Sequence, residues 1–407
     1  MEPRFPHAVG LGKFDSFHVM GLQNAARACV KAFDRLAMRL GWHGSAMRTA
    51  MLAVALPLAG CSAAEFYWQG LAGQVDLLAR ARPITEVIQD TPDAALKAKL
   101  MRAQDMRTFA SRELALPDNQ SYTRYADLGR AYVVWNVFAA PELSLSARQW
   151  CFPVAGCVAY RGYFAEADAG AEAARLAAEG FDVHVSGVPA YSTLGWFDDP
   201  VLSTFIRYRD AEVARLVFHE LAHQVVYVKD DTSFNESFAV AVEEAGLARW
   251  QAAQRRAADA AQFSADVARM QRLRTDFRTL IRTTRDQLAA LYSSDLPDAE
   301  KRARKATIFT DVRAEHERLK AGWDGAPVFD RWFAGGANNA GIISAGLYAD
   351  RVPQFAALLA EEGGDLPRFY ERVKALAAMP KAERDQALTA AGNRDIAPAS
   401  TVAAPRR

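Results

Sequence analysis

His219-Glu220-Leu221-Ala222-His223 is the stretch on which the reading of this chain turns. On an α-helix, residues four apart share one face, so both imidazoles can reach one ion. Glu220 lies beside them, where its carboxylate can draw a proton from water at that ion. Chance is a weak rival. The chain has only seven histidines, and a random match to the pattern is expected ~0.01 times in a chain of this length. Val213, Leu216, Val217, Leu221 and Val225 give the segment an apolar back, which predicts an amphipathic helix over 210–227. Two histidines and a glutamate in this order are a zinc-hydrolase pattern, and one Zn2+ per chain is the expected cofactor.

A catalytic zinc takes three protein ligands and keeps one position open. The longer pattern with a glycine and a third histidine fails, because position 226 is Val and position 229 is Lys. Outside the N-terminal segment the other histidines are His184 and His316. A carboxylate is therefore expected, from among Asp230, Asp231, Glu236, Glu243 and Glu244. Glu236 is the best placed. It opens a second predicted helix over 234–250, and the turn Lys229–Ser233 lets that helix fold back on the first. Glu243 stands about two turns further along nearly the same face, where it could orient a ligand imidazole. Asp230 and Asp231 read as turn and helix-capping residues.

Outward from this pair, residues 62–115 carry apolar residues at helical spacing, and Pro117-Asp118-Asn119 marks a turn. Strand-like runs follow at Tyr132–Ala139, Trp150–Val154, Val158–Phe164 and Val183–Val188, with an Ala/Glu-rich helix over 166–179 between them. Residues 251–323 read as a long antiparallel helical hairpin broken near Ser293–Pro297, its charges on solvated faces. The predicted fold is α+β and mainly helical: a zincin-like catalytic region over 62–250 with a small sheet before the motif helix, a helical region over 251–391, and a disordered tail over 392–407.

The N-terminal 1–60 are set apart as a signal segment with a possibly over-extended start. Residues 47–61 read MRTAMLAVALPLAGC, a basic residue and a short apolar run ending in Leu58-Ala59-Gly60-Cys61. That string resembles a bacterial lipobox, which implies lipid on Cys61 and a membrane anchor. Ser62 after it implies the outer membrane, with the chain facing the periplasm of a Gram-negative-type cell envelope. Of the four cysteines, Cys151 and Cys157 then remain, and an even remainder in an exported protein suggests a disulfide. The net charge of +1 gives no general field for nucleic acid, and no such partner is expected.

His219–Gln224, followed by Asn235-Glu236-Ser237-Phe238-Ala239 and Glu243, resembles the gluzincin metallopeptidases. It is closest to the M1-type aminopeptidases, whose second element is similar to Asn-Glu-Gly-Phe-Ala. The resemblance implies His219, His223 and Glu236 as metal ligands and Glu220 as general base. A longer stretch, from about Cys61 to about residue 375, resembles a bacterial family of putative aminopeptidase lipoproteins. It does so through Tyr132–Ala140, Trp150–Cys157 and Pro189–Pro200. Two departures count. His223 and Glu236 are only 13 positions apart, so the intervening loop is shorter than in the M1-type enzymes. The Gly-Ala-Met-Glu-Asn string that would anchor a substrate amine is replaced by Gly187–Gly195.

A peptide or protein substrate and Glu-assisted hydrolysis are therefore expected, with aminopeptidase action implied by the family. An envelope endopeptidase or processing protease, and a non-catalytic assembly protein on a zincin scaffold, are the alternatives. Tyr348 and Tyr191 are candidate donors to the developing oxyanion. Asn338 and Asn339 could line a substrate cleft beyond Gly335-Gly336, and Asp198 and Asp199 could hold an amine or cap a helix. Trp135, Trp150 and Trp196 read as core.

Overall fold

A computed structural model describes residues 66–152, 156–254, 256–323, 325–326, 328–346 and 351–392. The apolar run ending at Cys61, Tyr348 and the tail beyond residue 392 lie outside the described residues. Two compact units result. Of the described residues, one includes 66–72, Cys151, Phe152 and Gly156, and in it Phe66 stacks on Phe152 at 5.6 Å between ring centroids. The other, Gly73–Trp150 and Cys157 onward, holds the candidate site and nearly all the elements that follow, β4 and the start of β5 excepted.

After a helical stretch that ends at residue 80, the elements in chain order are β1 (Arg82–Pro83), α1 (Ile84–Asp90), α2 (Ala94–Leu114), β2 (Arg124–Ala126) and β3 (Val134–Pro141). Three short strands follow, β4 (Trp150–Phe152), which begins at the unit boundary, β5 (Gly156–Val158) and β6 (Arg161–Tyr163). Then come α3 (Glu166–Ala178), β7 (Phe181–Val188) and β8 (Val201–Leu202). The rest is helical: α4 (Asp210–His223), α5 (Thr232–Ala252), α6 (Ala257–Tyr292), α7 (Asp298–Gly322), α8 (Asp330–Ala334), α9 (Asn339–Gly346), α10 (Val352–Glu361), α11 (Leu366–Ala377) and α12 (Lys381–Gly392). The chain is thus mainly helical with small sheets. Among the described residues no helix is long and apolar enough to cross a membrane.

β3 is the centre of an antiparallel sheet in the order β6-β3-β7, with Trp135 opposite both Tyr163 and Gly187. Its residues are buried from Trp135 to Ala140, Asn136 included, so both faces of the strand are covered. α3 lays Ala169 and Leu176 on this sheet, and α9 packs on β3 and β7 as well. A second small sheet runs β1-β2-β8, with β2 antiparallel to β1 and parallel to β8.

α4 and α5 pack side by side. Close approach is possible because Gly246 of α5 has no side chain: a Cβ there would lie 2.7 Å from the Phe218 ring and 2.9 Å from Leu114. α4 opens with Asp210 and Glu212 in its first turn, and the Glu212 carboxylate accepts from the Arg209 backbone N–H at 3.2 Å. From Leu216 to His223 every residue of α4 is buried, so the helix is enclosed rather than amphipathic.

It also stops at His223, short of the expected 227. The linker is held by side chains instead of helical hydrogen bonds. Asn235 accepts from the Val228 N–H at 2.7 Å and donates to the Val228 carbonyl at 2.8 Å. Asp230 takes a left-handed φ of 65°, and Asp231 caps α5 by accepting from the Phe234 N–H at 3.2 Å. Asn235 thereby fixes the start of α5, and with it the direction of its neighbour Glu236. α6 and α7 form the expected antiparallel hairpin, and α10 to α12 close over α5 around Phe234, Phe238, Phe355 and Phe369.

Candidate metal centre

Nε2 of His219 and Nε2 of His223 lie 3.2 Å apart. Glu236 places Oε2 at 3.3 Å from His219 Nε2 and Oε1 at 3.8 Å from His223 Nε2. These three residues are the one group of metal-capable side chains that converges among the described residues. Ligands held about 2.0–2.1 Å from a tetrahedral ion are separated from one another by about 3.3 Å, so the spacing fits. The donor set of two imidazoles and a carboxylate suits zinc, though it also serves other first-row ions.

His219 Nδ1 is 2.9 Å from Glu243 Oε2. Glu243 is fully buried and takes Arg215 at 3.2 Å and Arg274 at 2.8 Å. A carboxylate on Nδ1 fixes the tautomer with the proton there and leaves the Nε2 lone pair for the ion. Burial works against the Glu243 charge, but Arg274, Arg215 and His219 outweigh it and hold its pKa well below the usual carboxylate range. Arg215 comes from α4, one turn before His219, and Arg274 from the α6 arm of the hairpin. His223 is backed differently: its Nδ1 is buried with no hydrogen-bond partner, and burial pulls its pKa down to about 4. A neutral imidazole is the form a metal requires.

Glu220 is 8% exposed. Burial first, then the charges of Glu236 and Asp199, push its pKa up to about 7, with His219 and Arg215 acting in the opposite sense. Two tyrosines lie within reach of its field. Tyr160, between β5 and β6 and 5.6 Å from the Phe138 ring, is held above the ordinary tyrosine value by burial, then by Glu236, Tyr227 and Glu220. Tyr122 is held well above it by burial, then by Glu220, Asp199 and Tyr191. The sequence gives neither away, since both sit in short turns without a pattern.

The remaining candidates are placed elsewhere. Asn339 is fully buried: its amide donates to the carbonyls of Pro141 at 3.1 Å, Glu142 at 2.9 Å and Ser144 at 3.1 Å, and it accepts from the Tyr292 hydroxyl at 2.7 Å. Asn338 donates to the Val183 carbonyl at 2.8 Å. The pair clamps α9 to the sheet, and its amides are spent on backbone rather than facing a cleft. The Tyr191 hydroxyl donates to Gln74. Asp199 is buried and accepts from the Thr193 N–H at 2.9 Å and hydroxyl at 2.8 Å, closing the 193–199 turn instead of capping a helix; Asp198 is exposed. Trp135 is core, Trp150 is half-buried, and Trp196 is 67% exposed at the tip of that turn, contrary to its reading as core. Cys151 and Cys157 are both disulfide-bonded. His184 and His316 are buried against Trp332 and Phe333, away from the cluster.

The family model described as Putative aminopeptidase matches residues 65–388. The chain belongs to this family. No curated protein and no solved structure matches. For a member of the putative aminopeptidase family, the matched span takes in both motif helices and the hairpin that supplies Arg274.

Proposed function

We propose that this chain is a zinc-dependent peptidase of gluzincin type on a zincin-like fold, acting as an aminopeptidase at the cell envelope. The observation that carries this reading is the convergence of His219, His223 and Glu236 with buried Glu220 on the same helix. When bound, zinc would polarise the scissile carbonyl and make a neighbouring water acidic. His219, His223 and Glu236 would hold it, and Glu243 would keep His219 in register. Glu220 takes the proton of the attacking water and returns it to the leaving amine. Its raised pKa suits a group that must both accept and release that proton near neutrality. Tyr160, which feels the charges of Glu236 and Glu220, is the candidate donor to the developing oxyanion in preference to Tyr191, whose hydroxyl is engaged by Gln74.

The envelope placement rests on the lipobox-like string at Cys61, with the outer membrane as destination. Two disulfide-bonded cysteines suit an oxidising compartment.

An endopeptidase reading is favoured by one observation. Asp199, an acid within electrostatic reach of Glu220, is spent on Thr193 and so offers no ready anchor for a substrate amine. A panel of matched peptides with free and blocked amino termini separates the two. Aminopeptidase action requires hydrolysis of the free series and a loss of at least tenfold on blocking. Equal rates on both series would make the chain an endopeptidase.

A further inference from the structure

We infer that Trp196 and Phe197 are specificity-determining residues, an aromatic wall on the Glu220 side of α4 that receives a large apolar side chain next to the scissile bond. The inference names the substrate class of the proposed peptidase site and rests on that reading. Three observations carry it.

First, the two rings are adjacent in the chain and open to solvent, Trp196 at 67% and Phe197 at 45%. An indole and a phenyl side by side offer a large apolar area to a partner. Asp198, exposed beside them, disfavours an acidic side chain at the same place.

Second, the turn that carries the rings is rigid. The Thr193 hydroxyl accepts from the Phe197 N–H at 3.1 Å, and the Trp196 N–H donates to the Thr193 carbonyl at 3.1 Å. The Leu194 N–H donates to the Ser192 hydroxyl at 3.0 Å, and buried Asp199 holds Thr193 by both its N–H and its hydroxyl. Leu194 takes a φ of 56°, a left-handed conformation that a bulky side chain rarely adopts, and Gly195 follows at 80°. A strained, cross-braced turn therefore presents two apolar rings to water. Rings held still lose little freedom when a partner covers them.

Third, the turn is fixed against the motif helix. Gln224 stands four residues after Glu220 and so shares its face of α4. A Cβ on Gly195 would lie 3.6 Å from Gln224 Oε1, which places the turn in contact with that side chain. Gln224 is itself held, accepting from Asn119 at 2.8 Å and donating to the Ser121 hydroxyl at 3.2 Å. The far end of the turn is tied to the same loop: Tyr122, at a left-handed φ of 64°, donates its N–H to the Asp199 carbonyl at 2.6 Å. The turn thus stands on the flank of α4 that carries the candidate base, where a peptide held at the metal centre must pass.

The test uses full-length, zinc-loaded protein and peptides that differ only in the residues flanking the scissile bond: leucine, phenylalanine, alanine or glutamate. The wild type should favour leucine or phenylalanine over alanine by about tenfold or more in kcat/KM, with glutamate the poorest. In the Trp196→Ala/Phe197→Ala double variant that preference should fall below about threefold, and Trp196→Phe should retain most of it. Zinc content and melting temperature should match the wild type, because the two side chains lie at the surface. A wild type without the apolar preference, or a double variant that keeps it, would overturn the inference. So would an equal loss on every peptide or a loss of zinc, which would make the turn a support for the site. Lost vesicle binding or lost self-association in the double variant, with the preference intact, would assign the rings to a membrane or a second copy instead. Glu220→Gln separates the two readings: if it is inactive, these outcomes bear on the aromatic wall alone, and if it is fully active, the peptidase reading falls as well.

Discussion

Glu220 and Glu243 are two buried carboxylates on neighbouring helices of one cluster, and their surroundings differ in kind. Glu243 is enclosed with two guanidinium groups and an imidazole against it. Its charge is held in place, and on the proposed function its work would be to orient His219. Glu220 is enclosed with burial first, then Glu236 and Asp199, acting against its charge, and His219 and Arg215 only partly offset them. Its proton affinity is raised to about 7, the range in which a base can also return the proton. Both acids are buried; what differs is whether the cations around them outweigh that burial, as they do at Glu243 and do not at Glu220.

The largest effect that could break this contrast comes from Glu243→Ala. It leaves Arg215 and Arg274 facing each other without the carboxylate, at a cost of about 3–5 kcal/mol in stability. Zinc affinity should also drop about 10–100-fold, measured by metal content after dialysis, because His219 loses the group that fixes its tautomer. If Glu243→Ala binds zinc as the wild type does, Glu243 does not orient the ligand. A smaller effect, at the N-cap of α5, sharpens the contrast. Asp231 is also buried and paired, with Arg384 at 2.7 Å and Lys381 at 3.2 Å, but touches no part of the cluster. Burial raises its pKa, and the bonds from Arg384, the Phe234 N–H and Lys381 more than reverse that, so the folded value is lowered. A lowered acid stabilises the fold above its unfolded pKa and loses that contribution as pH falls through the folded value. Asp231→Asn should therefore cost about 3 kcal/mol at pH 7, mostly from the enclosed Arg384. The difference from wild type should shrink below the ordinary aspartate value of 3.8. Denaturant unfolding at pH 7 and pH 3 checks this; a gap that is constant with pH would remove the ion pair from the account. Zinc content and turnover should stay at wild-type levels.

What is legible in the sequence is what is local. His219, Glu220 and His223 are fixed by helical period alone. Glu236 follows because a short loop must return α5 to the same point. The hairpin, the strands and the mainly helical class follow from periodicity. Arg274 is not legible, because it reaches Glu243 from 31 positions away across a different helix. Tyr122 is not legible either, because nothing in a turn sequence announces a left-handed aromatic. Asn338 and Asn339 show the reverse failure: a polar pair after two glycines resembles a cleft lining, yet here it serves the buried carbonyls of a sheet edge. Trp196 reads as core on its residue type, and its place at a turn tip overrides that.

On the proposed function, one ion and one base act together on the α4–α5 pair. It is tested most directly by zinc content after dialysis and peptide hydrolysis, measured side by side for the wild type, Glu220→Gln and Glu236→Ala. One zinc per chain is expected in the wild type and in Glu220→Gln, with turnover of the latter reduced by about 100-fold or more. Glu236→Ala should lose zinc and recover part of its activity when zinc is added back. Full zinc content in Glu236→Ala, or wild-type hydrolysis by Glu220→Gln, would contradict the account.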